Sequence, residues 1–238
     1  MRSQNTQSTA ADLMNKVDTR KRDSALRISE ATPDHSPFLA RVILSASRSQ
    51  LDRGPFDIAL GLETADLLDI LEYMSLSDFI GNCHFSKFFV VEVSGEPVGA
   101  LSAYDPGENG LMPLGAALSD AYTALGHDEE KLPSVLQRIE AVQRCLPPAQ
   151  PATWIVEWVA VEKAYRRRGI VGPLLQEALA SGARRSLLRA QVSTYVGNEA
   201  AIGAYAKAGF YIDRERHDPD FGALLGVPGM VTMVRELP

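Results

Sequence analysis

Thr153-Trp-Ile-Val-Glu-Trp-Val-Ala-Val161, followed shortly by Tyr165-Arg-Arg-Arg-Gly-Ile-Val-Gly-Pro-Leu-Leu175, is the stretch on which the reading of this chain turns. The first run is apolar and rich in branched and aromatic residues, which predicts a buried strand. In the second, Pro173 sits where the first turn of a helix tolerates proline, and Leu174, Leu175, Ala178 and Leu179 repeat at helical spacing. A strand therefore feeds a short basic loop that opens a helix. Such a loop aims unpaired backbone N–H groups and the positive end of a helix dipole at one point, where an anion, most naturally a pyrophosphate, binds. The loop is neither GxxxxGKS/T nor GxGxxG, so the nucleoside-triphosphate and dinucleotide readings lack their fingerprints. The plain alternative is a strand–helix connection carrying solvated arginines.

Downstream stands Asn198-Glu-Ala-Ala-Ile-Gly-Ala-Tyr-Ala-Lys-Ala-Gly-Phe210. Taken with the loop, this run resembles the GNAT superfamily of N-acyltransferases. The loop pattern of that family is Arg/Gln-x-x-Gly-x-Gly/Ala after a strand ending in valine, and Val161, Arg166 and Gly169 fall on it. Its second pattern is Asn-x-x-Ala-(Ile)-x-x-Tyr-x-x-x-Gly-Phe, matched by Asn198, Ala201, Ile202, Tyr205, Gly209 and Phe210. The chain departs at the third loop position, where glycine or alanine is usual and Val171 stands, with Gly172 next. A valine lets backbone approach a phosphate less closely than glycine does. The close match covers about a quarter of the chain.

The resemblance implies an α/β fold: a mixed sheet, antiparallel in its N-terminal half, with parallel strands splayed at the coenzyme site and helices on both faces. It implies acetyl-CoA as acyl donor, consumed as a substrate and leaving as coenzyme A rather than held as a prosthetic group. Backbone groups of Val159 and Val161 would hold the pantetheine arm, and Arg166, Arg167, Arg168, Gly169, Ile170, Val171 and Gly172 the pyrophosphate. Asn198 joins the coenzyme-binding set. No metal is expected.

The rest of the chain supplies context. Length 238 suits one domain with additions. The net charge is −6, but residues 162–189 carry +5 and leave −11 to the remainder. A basic island in an acidic body fits a polyphosphate ligand better than a nucleic-acid surface; the alternative for Arg184, Arg185 and Arg189 is scattered solvated residues on a helix. Cys83 and Cys145 form no CxxC pair, so neither a zinc site nor a disulfide framework is expected, and a reducing cytoplasm fits. No 18-residue apolar run suggests a membrane span. Residues 1–25 are polar and read as a disordered or loosely ordered tail. One acyltransferase domain is expected over 26–238.

Strands are predicted over Leu26–Ala31, Phe88–Val93 and Val98–Tyr104, the last two as a hairpin, and later over Leu187–Val192 and Met230–Leu237. Helices are predicted over Pro37–Ala46 and from Thr64 onward, with Gly54-Pro55 read as a turn. The resemblance implies that the first two helices lie beside the acceptor cleft, so residues between Arg53 and Ser86 are candidates for acceptor contact; His84 and Phe85 are named among them, with His84 read alternatively as a surface or packing histidine. Between Tyr104 and Thr153 lie 48 residues, far more than a hairpin needs. Two helices are expected in this insertion (about 105–150), and Leu132, Leu136, Ile139 and Val142 make one apolar stripe. The insertion reads as a lid, a dimer contact or extra core.

Acyl transfer from a thioester to an amine needs a group to take the amine's proton and one to protonate the departing thiolate. The resemblance places Tyr205 near the coenzyme sulfur; the alternative is a core tyrosine. Glu157 lies in an otherwise apolar strand, where alternation puts it on one face with Ile155 and Val159. It is either the base or the partner of a nearby arginine. The expected activity is N-acetyl transfer from acetyl-CoA to a primary amine of a small molecule or peptide, and the acidic body favours a cationic acceptor. A non-catalytic acyl-CoA-binding module is the alternative, and a homodimer is open. Neither nucleic acid nor membrane is an expected partner.

Overall fold

Strand pairing fixes the architecture. The computed structural model describes residues 26–109, 113–144, 148 and 151–238. The N-terminal tail expected over 1–25 lies outside the described residues. Seven strands, β1 (Leu26–Glu30), β2 (Phe88–Val93), β3 (Glu96–Tyr104), β4 (Thr153–Val161), β5 (Arg189–Tyr195), β6 (Tyr211–His217) and β7 (Gly229–Glu236), form one sheet in the order β1-β2-β3-β4-β5-β7-β6. Only β4 and β5 run parallel; every other neighbouring pair is antiparallel.

Helices cover both faces. One face carries α1 (Ser36–Arg48), α2 (Pro55–Leu60) and α3 (Thr64–Leu76). A single turn, α4 (Pro106–Asn109), then leads to the inserted helices α5 (Pro113–Ala124) and α6 (Leu132–Gln143), which add to that same layer. The opposite face carries α7 (Val171–Arg184) and α8 (Glu199–Lys207). The last helix, α9 (Pro219–Leu225), joins Tyr195, Met230 and Val142 in a small third cluster. In α7 the apolar stripe Leu174, Leu175, Ala178 and Leu179 is buried as its spacing predicts. Gly182 extends that stripe because a Cβ there would lie 2.7 Å from the Trp154 ring.

Two irregularities position the site. The first is in β4. Gly99 and Ala100 pair with Val161 and Ala160, whereas Ser102 pairs with Glu157, so β4 carries one extra residue. Trp158 sits at this bulge with φ +50°. An extra residue inverts the alternation beyond it. Trp154 and Val156 pack toward α7 before the bulge, and Val159 and Val161 do so after it, while Trp158 and Ala160 pack toward α1. Glu157 therefore does not share a face with Val159, as regular alternation predicts; the bulge separates them.

The second irregularity is the parting of β4 from β5. Their ladder runs from Thr153↔Arg189 to Val156↔Val192 and stops. Beyond it the tip of β5 is tied to α1. The Tyr195 hydroxyl donates to the Ser47 carbonyl at 2.6 Å, satisfying one of the unpaired carbonyls at a helix C-terminus. Asn198 donates to Ser49 Oγ at 2.7 Å and to Thr194 Oγ1 at 2.9 Å, while its Oδ1 caps α8 by accepting from the Ala201 N–H.

Gly54-Pro55, expected as a turn, instead opens α2. The Asp57 carboxylate accepts from the Gly54 N–H at 2.8 Å and takes the Arg48 guanidinium in a two-point ion pair, with 2.6 and 3.0 Å contacts. Burial alone pushes the Asp57 carboxyl up, but these donors outweigh it and hold the group below the usual range. The insertion is packed, not free: Val135, Ile139 and Val142 are buried, and each such side chain is worth about 1.5–3 kcal/mol. Leu132 and Leu136 lie partly buried against the same layer.

Removing the brace across the opening should be measurable. Tyr195→Phe keeps the ring and leaves the buried Ser47 carbonyl without its donor, so chemical denaturation should show a loss of about 1–3 kcal/mol. An unchanged unfolding free energy would mean that the hydroxyl does not hold the two elements together.

Candidate active site

A cleft of about 1870 Å³ opens where β4 and β5 part. Past Val156 the facing strand edges have no ladder partner among the described residues, so their main-chain groups, apart from the Val161 carbonyl that accepts from Arg166, can meet an extended ligand. Val159 and Val161 line the cleft on the α7 side. Trp158 and the α1–α2 segment line it on the other side, with the Phe56 and Trp158 rings 5.8 Å apart.

The basic loop forms one end of the cleft. Arg167 and Gly169 both have positive φ, +62° and +78°, and turn the chain into α7. No side chain caps the start of α7, so the N–H groups of its first turn are unclaimed. Gly169, Ile170, Val171 and Gly172 all line the cleft, and a Cβ on either glycine would meet nothing within 4 Å. The valine at the third loop position falls on helical backbone, where a β-branched residue is allowed, and its side chain packs against the α7-side core. The three arginines differ. Arg166 lines the cleft but spends its Nε on the Val161 carbonyl at 2.9 Å. Arg167 is exposed at the rim. Arg168 lies over the Tyr165 ring at 4.9 Å and does not line the cleft, so it leaves the candidate anion set. Asn198 lines the cleft, but its amide is committed to the contacts described above. Arg184 and Arg185 pair with Glu177 and Glu108 at the surface, the solvated reading, whereas Arg189 pairs with Glu236 but is half-buried.

Glu157 stands at the centre. Asn82 Nδ2 donates to its carboxylate at 2.7 Å, and Tyr104 hydrogen-bonds to it as well. Burial raises its pKa, and these two donors only partly offset that. It makes no ion pair among the described residues, which removes the arginine-partner alternative. Tyr205 lies on the opposite, α8 side of the same opening, buried yet lining the cleft. Burial pushes its phenol far above the ordinary value, so it keeps its proton at neutral pH.

Sequence does not single out Asn82 or Tyr104. Asn82 falls within the segment expected to touch acceptor, but nothing in Gly81-Asn82-Cys83 marks it, because its partner lies 75 residues away. His84 and Phe85, the named candidates there, do not line the cleft. His84 Nδ1 accepts from the Ser86 N–H, and its ring stacks on Phe85 at 4.4 Å. Burial raises the Cys83 thiol, with Glu157 adding to the effect, so it is a poor nucleophile.

A sequence model described as the acetyltransferase (GNAT) family matches residues 62–210. Among solved structures, one described only as an acetyltransferase superposes with a TM-score of 0.65 at 17% identity, covering 89% of this chain and 100% of its own. An N-acetyltransferase from Staphylococcus aureus Mu50 gives 0.63 at 23% identity, with 88% and 100% covered. A putative acetyltransferase, yncA, from Salmonella typhimurium, solved with its cofactor acetyl-CoA, gives 0.50 at 15% identity, with 90% and 95% covered. No curated protein matches the sequence.

The raised carboxyl at Glu157 has a signed consequence for stability. A carboxyl with a folded pKa above its unfolded value of about 4.3 favours folding at low pH. That contribution is lost as pH rises through the folded value. Glu157→Gln keeps the shape and cannot ionise. Its melting temperature relative to wild type should therefore climb as pH rises from the unfolded value through the raised folded one. A difference that stays flat or falls over that range would show that burial does not raise this group.

Proposed function

The chain belongs to the GNAT family of acetyltransferases, and from that premise we propose that it transfers the acetyl group of acetyl-CoA to a primary amine of a small molecule or peptide. One observation carries the reading: a carboxylate raised by burial and a protonated phenol stand on opposite faces of the sheet, at the opening where β4 and β5 part.

The residues present fit the coenzyme. An uncapped helix start lines the cleft, open space lies over Gly169 and Gly172, and two unpaired strand edges can receive an extended arm. When bound, the coenzyme supplies an activated acyl group as a thioester. The protein's residues do the rest. Backbone N–H groups from Gly169 to Gly172, with Arg167 at the rim, hold the pyrophosphate. Main-chain groups of Val159 and Val161 align the pantetheine. Glu157 takes the proton of the incoming ammonium at its carboxylate, direct or through water, so that the nitrogen lone pair can form the C–N bond. Tyr205 gives its phenolic proton to the sulfur as the C–S bond breaks. The nitrogen's remaining surplus proton leaves to solvent as the amide forms, and both groups reset by exchange with solvent. Asn82 and Tyr104 hold the carboxylate in place.

The acceptor approaches as a cation, and Glu157 and Asp105, both lining the cleft, give it a negative landing. A cytoplasmic setting accords with Cys83 as a buried free thiol. Val171 sits on helical backbone and the insertion is packed core, so neither feature favours a non-catalytic module.

Coupled turnover assays test the roles. Tyr205→Phe should lower kcat while leaving coenzyme affinity near wild type, the pattern of an interaction made mainly in the transition state. An unchanged kcat, with chemistry rate-limiting, removes Tyr205 from the leaving-group step. Glu157→Gln should cut kcat/KM by about 10²-fold or more at neutral pH. Wild-type activity should fall as pH drops through the raised carboxyl pKa, and the variant should lack that limb. Wild-type turnover with the limb intact would leave the amine's proton to water.

A further inference from the structure

The insertion does more than pad the core. Leu114 from α5 and Ile139 and Val142 from α6 line the same cleft as Phe56, Trp158 and Phe221. α6 is fastened at both ends of that wall: Arg138 Nε donates to the Ala59 carbonyl of α2 at 2.8 Å, and Arg144 pairs with Asp220 of α9 at 3.9 Å. Most of these residues belong to the α1-side layer or the adjoining α9 cluster, the side on which Glu157 stands. Two cations at this end are already paired, Arg144 with Asp220 and Lys87 with Glu108 at 3.7 Å. The carboxylates are not: neither Glu157 nor Asp105 is in an ion pair among the described residues. The cleft's 1870 Å³ also exceeds the roughly 300–1,000 Å³ of a site for one drug-sized ligand, leaving room beside a coenzyme.

We infer that the acceptor is a monoamine on an aromatic or branched apolar body, its ammonium at Glu157 and its body against the α6 wall. The inference rests on the N-acetyltransferase reading for which end of the ligand is the amine. A polyamine or an aminoglycoside fits poorly. Glu157 and Asp105 can meet two ammoniums, but each further one would need its own carboxylate, and Phe56, Ile139, Val142 and Phe221 offer none; burying a charge without a partner is costly.

The test compares 2-phenylethylamine with spermidine on the full chain, using two readouts: acetyl transfer, and calorimetric binding to protein saturated with coenzyme A. The aryl amine should have at least a tenfold higher kcat/KM, the discrimination that small differences in apolar contact provide. Ile139→Ala should raise its KM about tenfold with kcat and coenzyme affinity held. Leu136→Ala, in the same stripe but outside the cleft, should leave KM alone and controls for loosening of α6. Spermidine preferred or equal, or an Ile139→Ala KM unchanged or matched by Leu136→Ala, overturns the inference. Aryl-amine binding weakened by Ile139→Ala, without transfer to either amine, keeps the pocket and defeats the catalytic reading. Neither binding nor transfer defeats both.

Discussion

A single constraint governs this protein: β4 and β5 must run side by side for four residue pairs and then separate. Parallel neighbours ordinarily continue to pair, since an unpaired strand edge inside a protein leaves donors and acceptors without partners. Here the separation is held from both sides. An extra residue at Trp158 re-aims β4, and Tyr195 and Asn198 tie the end of β5 to the C-terminal end of α1. The helix that ends at Arg48 thereby acts as a strut, and it also begins the wall that faces α7 across the cleft. Its Arg48 holds the Asp57 carboxylate that shapes α2 and so presents Phe56 to the opening.

The bulge also sets the division of labour at the centre of the cleft. Because the alternation inverts at Trp158, the valines before the loop look toward α7 and α8 while Glu157 looks toward the α1 side. Had β4 been regular, the carboxylate and Val159 would share a face. Glu157 owes its raised pKa to being buried there with only neutral donors for company. The same environment keeps it free of any described cation.

Sequence carried the architecture well where a local rule acts within a dozen residues. The strand, loop and α7 around Tyr165–Leu175 follow from period and from proline and glycine placement, and Asn198 is the helix cap its position suggests. It failed where the deciding partner is remote. Asn82 matters through a carboxylate 75 residues later. A bulge leaves no mark in a run such as Thr153–Val161, so alternation misplaced Glu157. Arg168 reads as basic like its neighbours, and only the Tyr165 ring shows that it is occupied. Gly54-Pro55 carries the signature of a turn and of a helix start alike, and Asp57 three residues on decides between them. The wall built by α6 was visible as a stripe, but not what the stripe faced.

One edge of the sheet bears on how copies of the chain can meet. β6 closes the sheet and is exposed along its whole length, with Tyr211 and Ile212 each 53% exposed. An unguarded strand of this kind is a template for joining sheets end to end. Next along β6 come Asp213, Arg214, Glu215 and Arg216. In a two-fold antiparallel pairing centred on Arg214 that arginine meets itself, and centred on Glu215 the glutamates meet while Arg214 faces Arg216. Like charges directly opposite one another destabilise a ladder. In these two registers the edge is coded against its own image, which narrows the ways in which β6 of one copy can extend the sheet of another.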